Sequence, residues 1–202
     1  YNEKSSTHPR FSPDGNFLAF LSARSSKIPQ IWIMRSSGGE AWQFTNEKDG
    51  VSSFKWSPDG DKIAFLMKDP KTEQEEKNEK EKKDVILVDQ NFKYSHIYLK
   101  TFSTEIDTLK ADRITKGQYD ITSFSWGPNG NKIVFSQSLE PTFNSRYVSG
   151  DISIVNVKSK TIRSLVTMGG NDTNPIFTPD GKSIIFTSDG DEVEPIGLRD
   201  VY

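Results

Sequence analysis

Residues Arg10 to Phe20 read RFSPDGNFLAF, and the chain repeats that phrase three more times. The copies are FKWSPDGDKIAF from Phe54, FSWGPNGNKIVF from Phe124 and IFTPDGKSIIF from Ile176. Each has an aromatic residue, then a small one, then a Pro-Asp/Asn-Gly turn, then a β-rich run. Proline presets its own φ, Asp or Asn caps the turn, and Gly takes the positive φ that other residues resist. The runs FLAFLS, KIAFLM, KIVFSQ and SIIFTS are too short for helices and are bounded by turn residues, so they read as strands. Their nearly continuous apolar character implies cover on both faces. Phe20, Phe65, Phe135 and Phe186 hold the same place in the second strand, and all four are expected to be buried between neighbouring units.

The turn positions Asp14, Asp59, Asn129 and Asp180 lie 45, 70 and 51 residues apart. Removing an insertion of roughly 25 residues from the long interval restores a period in the range of a propeller blade. The rest of each unit supplies two further strands. Gln30 to Arg35 turns through Ser36-Ser37-Gly38-Gly39 into Ala41 to Thr45, His96 to Phe102 leads to Asp112 to Thr115, and Asp151 to Val157 leads to Thr161 to Val166. Four strands per unit is the count for a blade. The fold class is therefore all-β, a partial β-propeller of four-stranded antiparallel blades with about three and a half blades present. Residues 1–202 form one partial propeller with units near 8–50, 51–120, 121–172 and 173–202, and a charged insertion over 68–94 in the second unit. All four Pro-Asp/Asn-Gly turns are expected on one side of the array. Bare terminal blade faces invite aggregation. The chain is thus expected to be part of a longer polypeptide, a homo-oligomer closed by a second copy being the alternative. Tyr1 rather than Met at the start accords with a longer gene product.

The insertion, Lys68 to Asp84, is almost all charge. Glu73/Lys77, Glu76/Lys80 and Glu79/Lys83 are spaced to support a solvated helix. With no apolar face, the segment reads as a mobile surface excursion rather than a binding element. Val85 to Val88 after it can add an edge strand.

Composition narrows function by exclusion. The 202 residues carry a net charge of −2 with both signs well mixed, so no nucleic-acid partner and no membrane surface is implied. There is no cysteine, hence no disulfide, and no signal peptide, so a cytoplasmic location is expected. No Gly-x-Ser-x-Gly elbow, HExxH, Walker loop or dinucleotide fingerprint occurs; Gly181-Lys182-Ser183 lacks the second glycine. The two histidines, His8 and His96, stand away from any nucleophile motif and read as structural. The sequon at Asn171 reads as chance, and the acidic group Asp189, Asp191, Glu192 and Glu194 as a solvated loop. No catalytic, cofactor-binding or metal-binding residue is assigned.

FSPDGNFLAFLSA with QIWIMRSSGGEAWQFT resembles the propeller repeat of prolyl-oligopeptidase-family serine peptidases, in the acylaminoacyl-peptidase and dipeptidyl-aminopeptidase branch. The excursion ending DVILVDQNFKYSHIYL, Asp84 to Leu99, resembles an insertion found at a similar place in that branch. TolB-type propellers share the hairpin motif. The resemblance implies a non-catalytic propeller that gates entry of short peptides to a C-terminal α/β-hydrolase domain carrying Ser, Asp and His. That domain of the same polypeptide and short peptide substrates are the implied partners, with no cofactor. The alternative is a non-enzymatic TolB-like propeller that binds a protein partner.

Overall fold

In a computed structural model, residues 5–25, 27–81, 92–104, 110–142, 149–190 and 200–202 are described. Among the described residues, fifteen strands fall into four antiparallel sheets that follow the repeat. The first holds β1 (Ser6–Phe11), β2 (Phe17–Ser22), β3 (Gln30–Arg35) and β4 (Trp42–Gln43). The second holds β5 (Ser53–Trp56), β6 (Lys62–Lys68), β7 (Ser95–Thr101) and β8 (Asp112–Arg113). The third holds β9 (Asp120–Trp126), β10 (Lys132–Ser138), β11 (Asp151–Asn156) and β12 (Ile162–Val166). The fourth has β13 (Thr173–Phe177), β14 (Ile184–Ser188) and the start of a third strand, β15 (Asp200–Val201). Each is a meander in which neighbours in sequence are neighbours in the sheet, the arrangement of a propeller blade.

Alternation along the second strand of each sheet explains the stacking. In β6, Ile63, Phe65 and Met67 pack on Ala19, Leu21, Ile31 and Ile33 of the first sheet. Ala64 and Leu66, pointing the other way, pack on Ile121, Phe124, Ile133 and Phe135 of the third. A strand covered on both faces has no polar side, which is why its sequence is continuously apolar.

A repeated hydrogen bond fastens one sheet to the next. Trp56 Nε1 donates to Arg10 O at 3.3 Å, and Trp126 Nε1 donates to Lys55 O at 3.2 Å. Arg10 and Lys55 both precede the repeat aromatic, so the bond links the same two positions in successive units. In the fourth unit Phe177 has no N–H to give, and its ring packs on Gly127; a Cβ there would lie 3.4 Å from Phe177 Cζ. Phe11, in the first unit, meets no preceding sheet among the described residues and is 63% exposed.

The turns are built alike. Ser12 Oγ donates to Asp14 Oδ1 and accepts from Phe17 N; Ser57 with Asp59 and Lys62, and Thr178 with Asp180 and Ser183, repeat the pair. The hydroxyl holds the carboxyl of Asp14, Asp59 and Asp180 below the ordinary value. The turns also sit against each other in order. A Cβ at Gly60 would lie 3.5 Å from Pro13 Cδ, at Gly130 3.8 Å from Pro58 Cδ, and at Gly181 3.4 Å from Pro128 Cδ. All four therefore lie on one side of the array, as their shared position between first and second strands requires.

Two of the expectations need refinement. Phe65 and Phe135 are fully buried and Phe20 nearly so, but Phe186 is only half-buried. Among the described residues its sheet has three strands, the third two residues long, and Phe186 is covered chiefly by Tyr202, stacked at 5.5 Å. In the insertion, Glu73–Lys80 form a helix, α1. A capping box starts it: Thr72 N donates to Glu75 Oε2 at 2.6 Å and Glu75 N to Thr72 Oγ1 at 3.3 Å. Acidic residues fill the first turn and Lys77 and Lys80 the last, in accord with the helix dipole. Lys83 and the strand expected at Val85 to Val88 lie outside the described residues.

The helix is tied to the sheets by surface ion pairs, Lys48–Glu76 at 2.6 Å and Lys93–Glu75 at 2.7 Å. The hydrogen bond from Lys93, helped by Thr72, lowers the Glu75 carboxyl to about 2. Exposed pairs of this kind add little to stability. Deleting residues 72–81 from the full-length protein is expected to leave its urea midpoint unchanged within error. A clear loss of soluble protein would show that the helix is part of the core.

Candidate functional site

The two ends of the sheets differ. One carries the short Pro-Asp/Asn-Gly turns. The other carries the longer connections from second to third strand, residues 23–29, 69–94, 139–150 and 189–199. It also carries the links from each sheet to the next. Binding residues concentrate on such loops, held by a rigid frame.

At this end each of the first two sheets has a polar latch. In the first, Ile31 N donates to Thr45 Oγ1 at 2.9 Å and Thr45 Oγ1 donates to Gln30 Oε1 at 2.8 Å. Gln30 Oε1 also accepts from Glu47 N, and its Nε2 donates to Glu47 O. In the second, Ile97 N donates to Thr115 Oγ1 at 2.9 Å, and His96 Nδ1 lies 3.2 Å from the same hydroxyl. His96 thus occupies the place of Gln30. Thr115 Oγ1 therefore bridges Ile97 N and the His96 ring.

His96 is fully buried, and burial followed by the neighbouring Arg113 guanidinium lowers its pKa to about 4. Its Nε2 is 3.9 Å from Asp69 Oδ2, beyond hydrogen-bond reach, while Asp69 Oδ1 pairs with Arg113 Nη1 at 2.9 Å. The Tyr119 ring meets the imidazole edge-on at 5.4 Å and stacks on Phe135 at 6.2 Å. It folds back over Gly117, where a Cβ would be 2.4 Å from Tyr119 Cε1. Burial raises the Tyr119 phenol above its ordinary pKa.

Beyond Tyr119 a cleft of about 230 Å³ opens between the third sheet and the approach to the fourth. Gln137, Leu139, Gly150, Asp151 and Met168 line it with Tyr119. Burial, and then Asp172, raise the Asp151 carboxyl. Asp172 is itself fully buried and structural: Ser188 Oγ donates to it at 2.5 Å and Met168 N at 3.1 Å.

The other residues singled out from sequence are placed apart from the cleft or bear structural duties. His8 is exposed, with a φ of 55° at a β-bulge where β1 slips against β2. Asn174 repeats this at a φ of 53° in β13, and in both places a proline follows. Short polar residues tolerate that left-handed backbone best. Asn171 is buried, which closes its sequon to glycosylation in the folded chain. Ser183 serves a hairpin turn through its backbone. Asp189 is half-buried; Asp191, Glu192 and Glu194 lie outside the described residues. Among the described residues no group of three His, Asp or Glu is arranged for a metal, and no helix is long and apolar enough to cross a membrane. Tyr119, Gln137 and Asp151 were not singled out from sequence.

This architecture makes the chain a portion of a β-propeller, and comparison with known proteins places its relatives among peptidases. The uncharacterized peptidase YuxL of Bacillus subtilis is 29% identical over 203 residues, which cover 100% of this chain and 25% of YuxL. Dipeptidyl-peptidase 5 of Porphyromonas gingivalis is 28% identical over 202 residues, covering 89% of this chain and 29% of that protein. The chain thus spans between a quarter and a third of these two relatives. The anaphase-promoting complex subunit 4 WD40 domain family matches residues 9–82. Among solved structures, Pyrococcus horikoshii acylaminoacyl peptidase superposes with a TM-score of 0.63 at 17% identity, over 98% of this chain and 30% of that one. TolB from Acinetobacter baumannii superposes with a TM-score of 0.59 at 16% identity, over 91% of this chain and 40% of that one. At these identities the superpositions speak for the fold alone.

Proposed function

We propose that this chain is the substrate-restricting propeller of a serine exopeptidase acting on short peptides, of the acylaminoacyl-peptidase or dipeptidyl-peptidase kind. Catalysis would belong to a C-terminal α/β-hydrolase domain of the same polypeptide. The observation that carries the reading is the match of the whole chain to a quarter of a peptidase, YuxL. The state of His96 supports it. An imidazole whose Nδ1 is taken by Thr115 and whose pKa is lowered to about 4 is a poor general base at neutral pH. His8, at an exposed bulge, faces only the Thr7 hydroxyl at 3.1 Å.

The test is to treat the full-length protein with a fluorophosphonate probe and map the label, with turnover of acylaminoacyl and dipeptidyl chromogenic substrates measured alongside. One labelled serine outside residues 1–202, with turnover lost on labelling, is the expected result. A labelled serine within residues 1–202 overturns the division of labour. Neither label nor turnover leaves the TolB-like, partner-binding reading in its place.

A further inference from the structure

The cleft beside Tyr119 carries an unmet hydrogen-bonding demand. Gln137 Oε1, on one lining residue, is buried and lacks a partner; Tyr119 Oη, on another, is buried and approached by the Lys116 backbone, and its own hydrogen has no acceptor. One can donate and the other accepts, and buried polar atoms left unpaired are costly. Neither side chain is loosely placed. Tyr119 is held by His96 on its edge, Phe135 on its face and the missing Cβ of Gly117 behind it. Gln137 follows a β-bulge: Ser136 pairs with Ser123 and Gln137 with Ile121, so Thr122 is left over on β9. Bulges re-aim the side chains beside them. The rest of the wall offers apolar surface at Met168 and at Leu139, which is 70% exposed, and exposed backbone at Gly169.

We propose that this cleft is a subsite for one backbone amide of a neutral, extended peptide. Tyr119 Oη donates to the peptide carbonyl, Gln137 Oε1 accepts from the peptide N–H, and an apolar side chain of the ligand rests on Leu139 and Met168. The inference leans on the proposed function only for the identity of that peptide as a substrate.

The experiment is calorimetric titration of the full-length protein with N-acetyl-leucine methylamide. Two comparison probes are its depsipeptide counterpart, in which ester oxygens replace both N–H groups, and leucine methylamide with a free ammonium. The capped amide is expected to bind saturably and the depsipeptide about 5- to 10-fold more weakly. Tyr119→Phe is expected to weaken the amide by a similar factor while leaving the thermal midpoint near that of the parent. Gly117→Ala, which displaces the Tyr119 ring, should weaken it as well.

Equal binding of amide and depsipeptide, undiminished binding by Tyr119→Phe, or no binding at all overturns the proposal. So does tighter binding of leucine methylamide that Asp151→Asn abolishes, since the cleft would then be a cation site. The two readings fail separately. Tyr119-dependent amide binding in a protein that hydrolyses no peptide sinks the peptidase reading alone. Peptide hydrolysis with the same KM in Tyr119→Phe sinks the subsite alone.

Discussion

Phe65→Ala and Phe135→Ala should each destabilise the 202-residue chain by about 3–5 kcal/mol, the range for emptying a buried phenylalanine site. Both rings are fully buried in the layers between sheets. Phe65 is paired across strands with Phe54 on one side and Tyr98 on the other, and it stacks on the Tyr98 ring at 6.0 Å. Phe135 is paired with Phe124 and carries the Tyr119 ring at 6.2 Å. Because these neighbours belong to regular strands with fixed register, they cannot collapse into the space left behind, and the cavity persists. Phe186→Ala at the equivalent place of the same 202-residue chain should cost only about 1–2 kcal/mol, because the partly exposed ring has less area to lose. Urea denaturation of the three variants checks the order. Equal losses at all three positions would refute the argument that cover by the next sheet, and not repeat position, sets the value of this ring.

That contrast marks what repetition in a sequence can and cannot report. A period near 45 residues, the turn chemistry and the two-sided apolar runs are local signals, and each became the expected element. The side of the array on which the turns lie also followed, since a turn between the same two strands must return to the same side. What repetition hides is position within the array. Phe11 and Phe186 read like their counterparts at Trp56 and Phe65, yet Phe11 is 63% exposed and Phe186 partly exposed. Their neighbours across the sheets decide this, and no local pattern reports them. The capping box Thr72-Glu73-Gln74-Glu75 was legible, being a spacing rule, and would have marked where the helix of the insertion begins.

The candidate site was less legible for a different reason. Tyr119 and Gln137 are ordinary residues in strand and loop contexts, and nothing in their spacing links them. A glycine two residues before Tyr119 and a bulge in β9 bring the two residues into the lining of one cleft. Close approach and bulges are consequences of three-dimensional register. A glycine followed closely by an aromatic was the one available hint, and by itself it also describes many turns.

His96 offers the sharpest test of the latch geometry, through pH. Its folded-state pKa of about 4 lies below the ordinary value of 6.5, with burial and then Arg113 disfavouring the imidazolium, and Asp69, a hydrogen bond to the Gly117 backbone and Asp120 only partly offsetting them. Between those two values the unfolded chain takes up a proton that the folded chain refuses. Stability therefore falls as pH drops from about 6.5 towards 4, by up to about 1.4 kcal/mol per unit and about 3 kcal/mol in all, and this contribution is flat outside that window. Burial gives the mechanism: the imidazolium would lose its hydration in a site where the ring has no access to water. His96→Gln installs the residue that the first sheet uses at the same place, where Gln30 Oε1 accepts from Thr45. The variant should keep the latch and lose the titration. Urea unfolding of the full-length protein and of His96→Gln at pH 6.5 and at pH 4.5 isolates the effect, since acid-sensitive carboxylates common to both cancel in the difference. The parent should lose about 2–3 kcal/mol more than the variant over that interval. Parallel pH profiles would mean that the buried imidazole accepts its proton in the folded state, and that burial beside Arg113 does not hold it neutral.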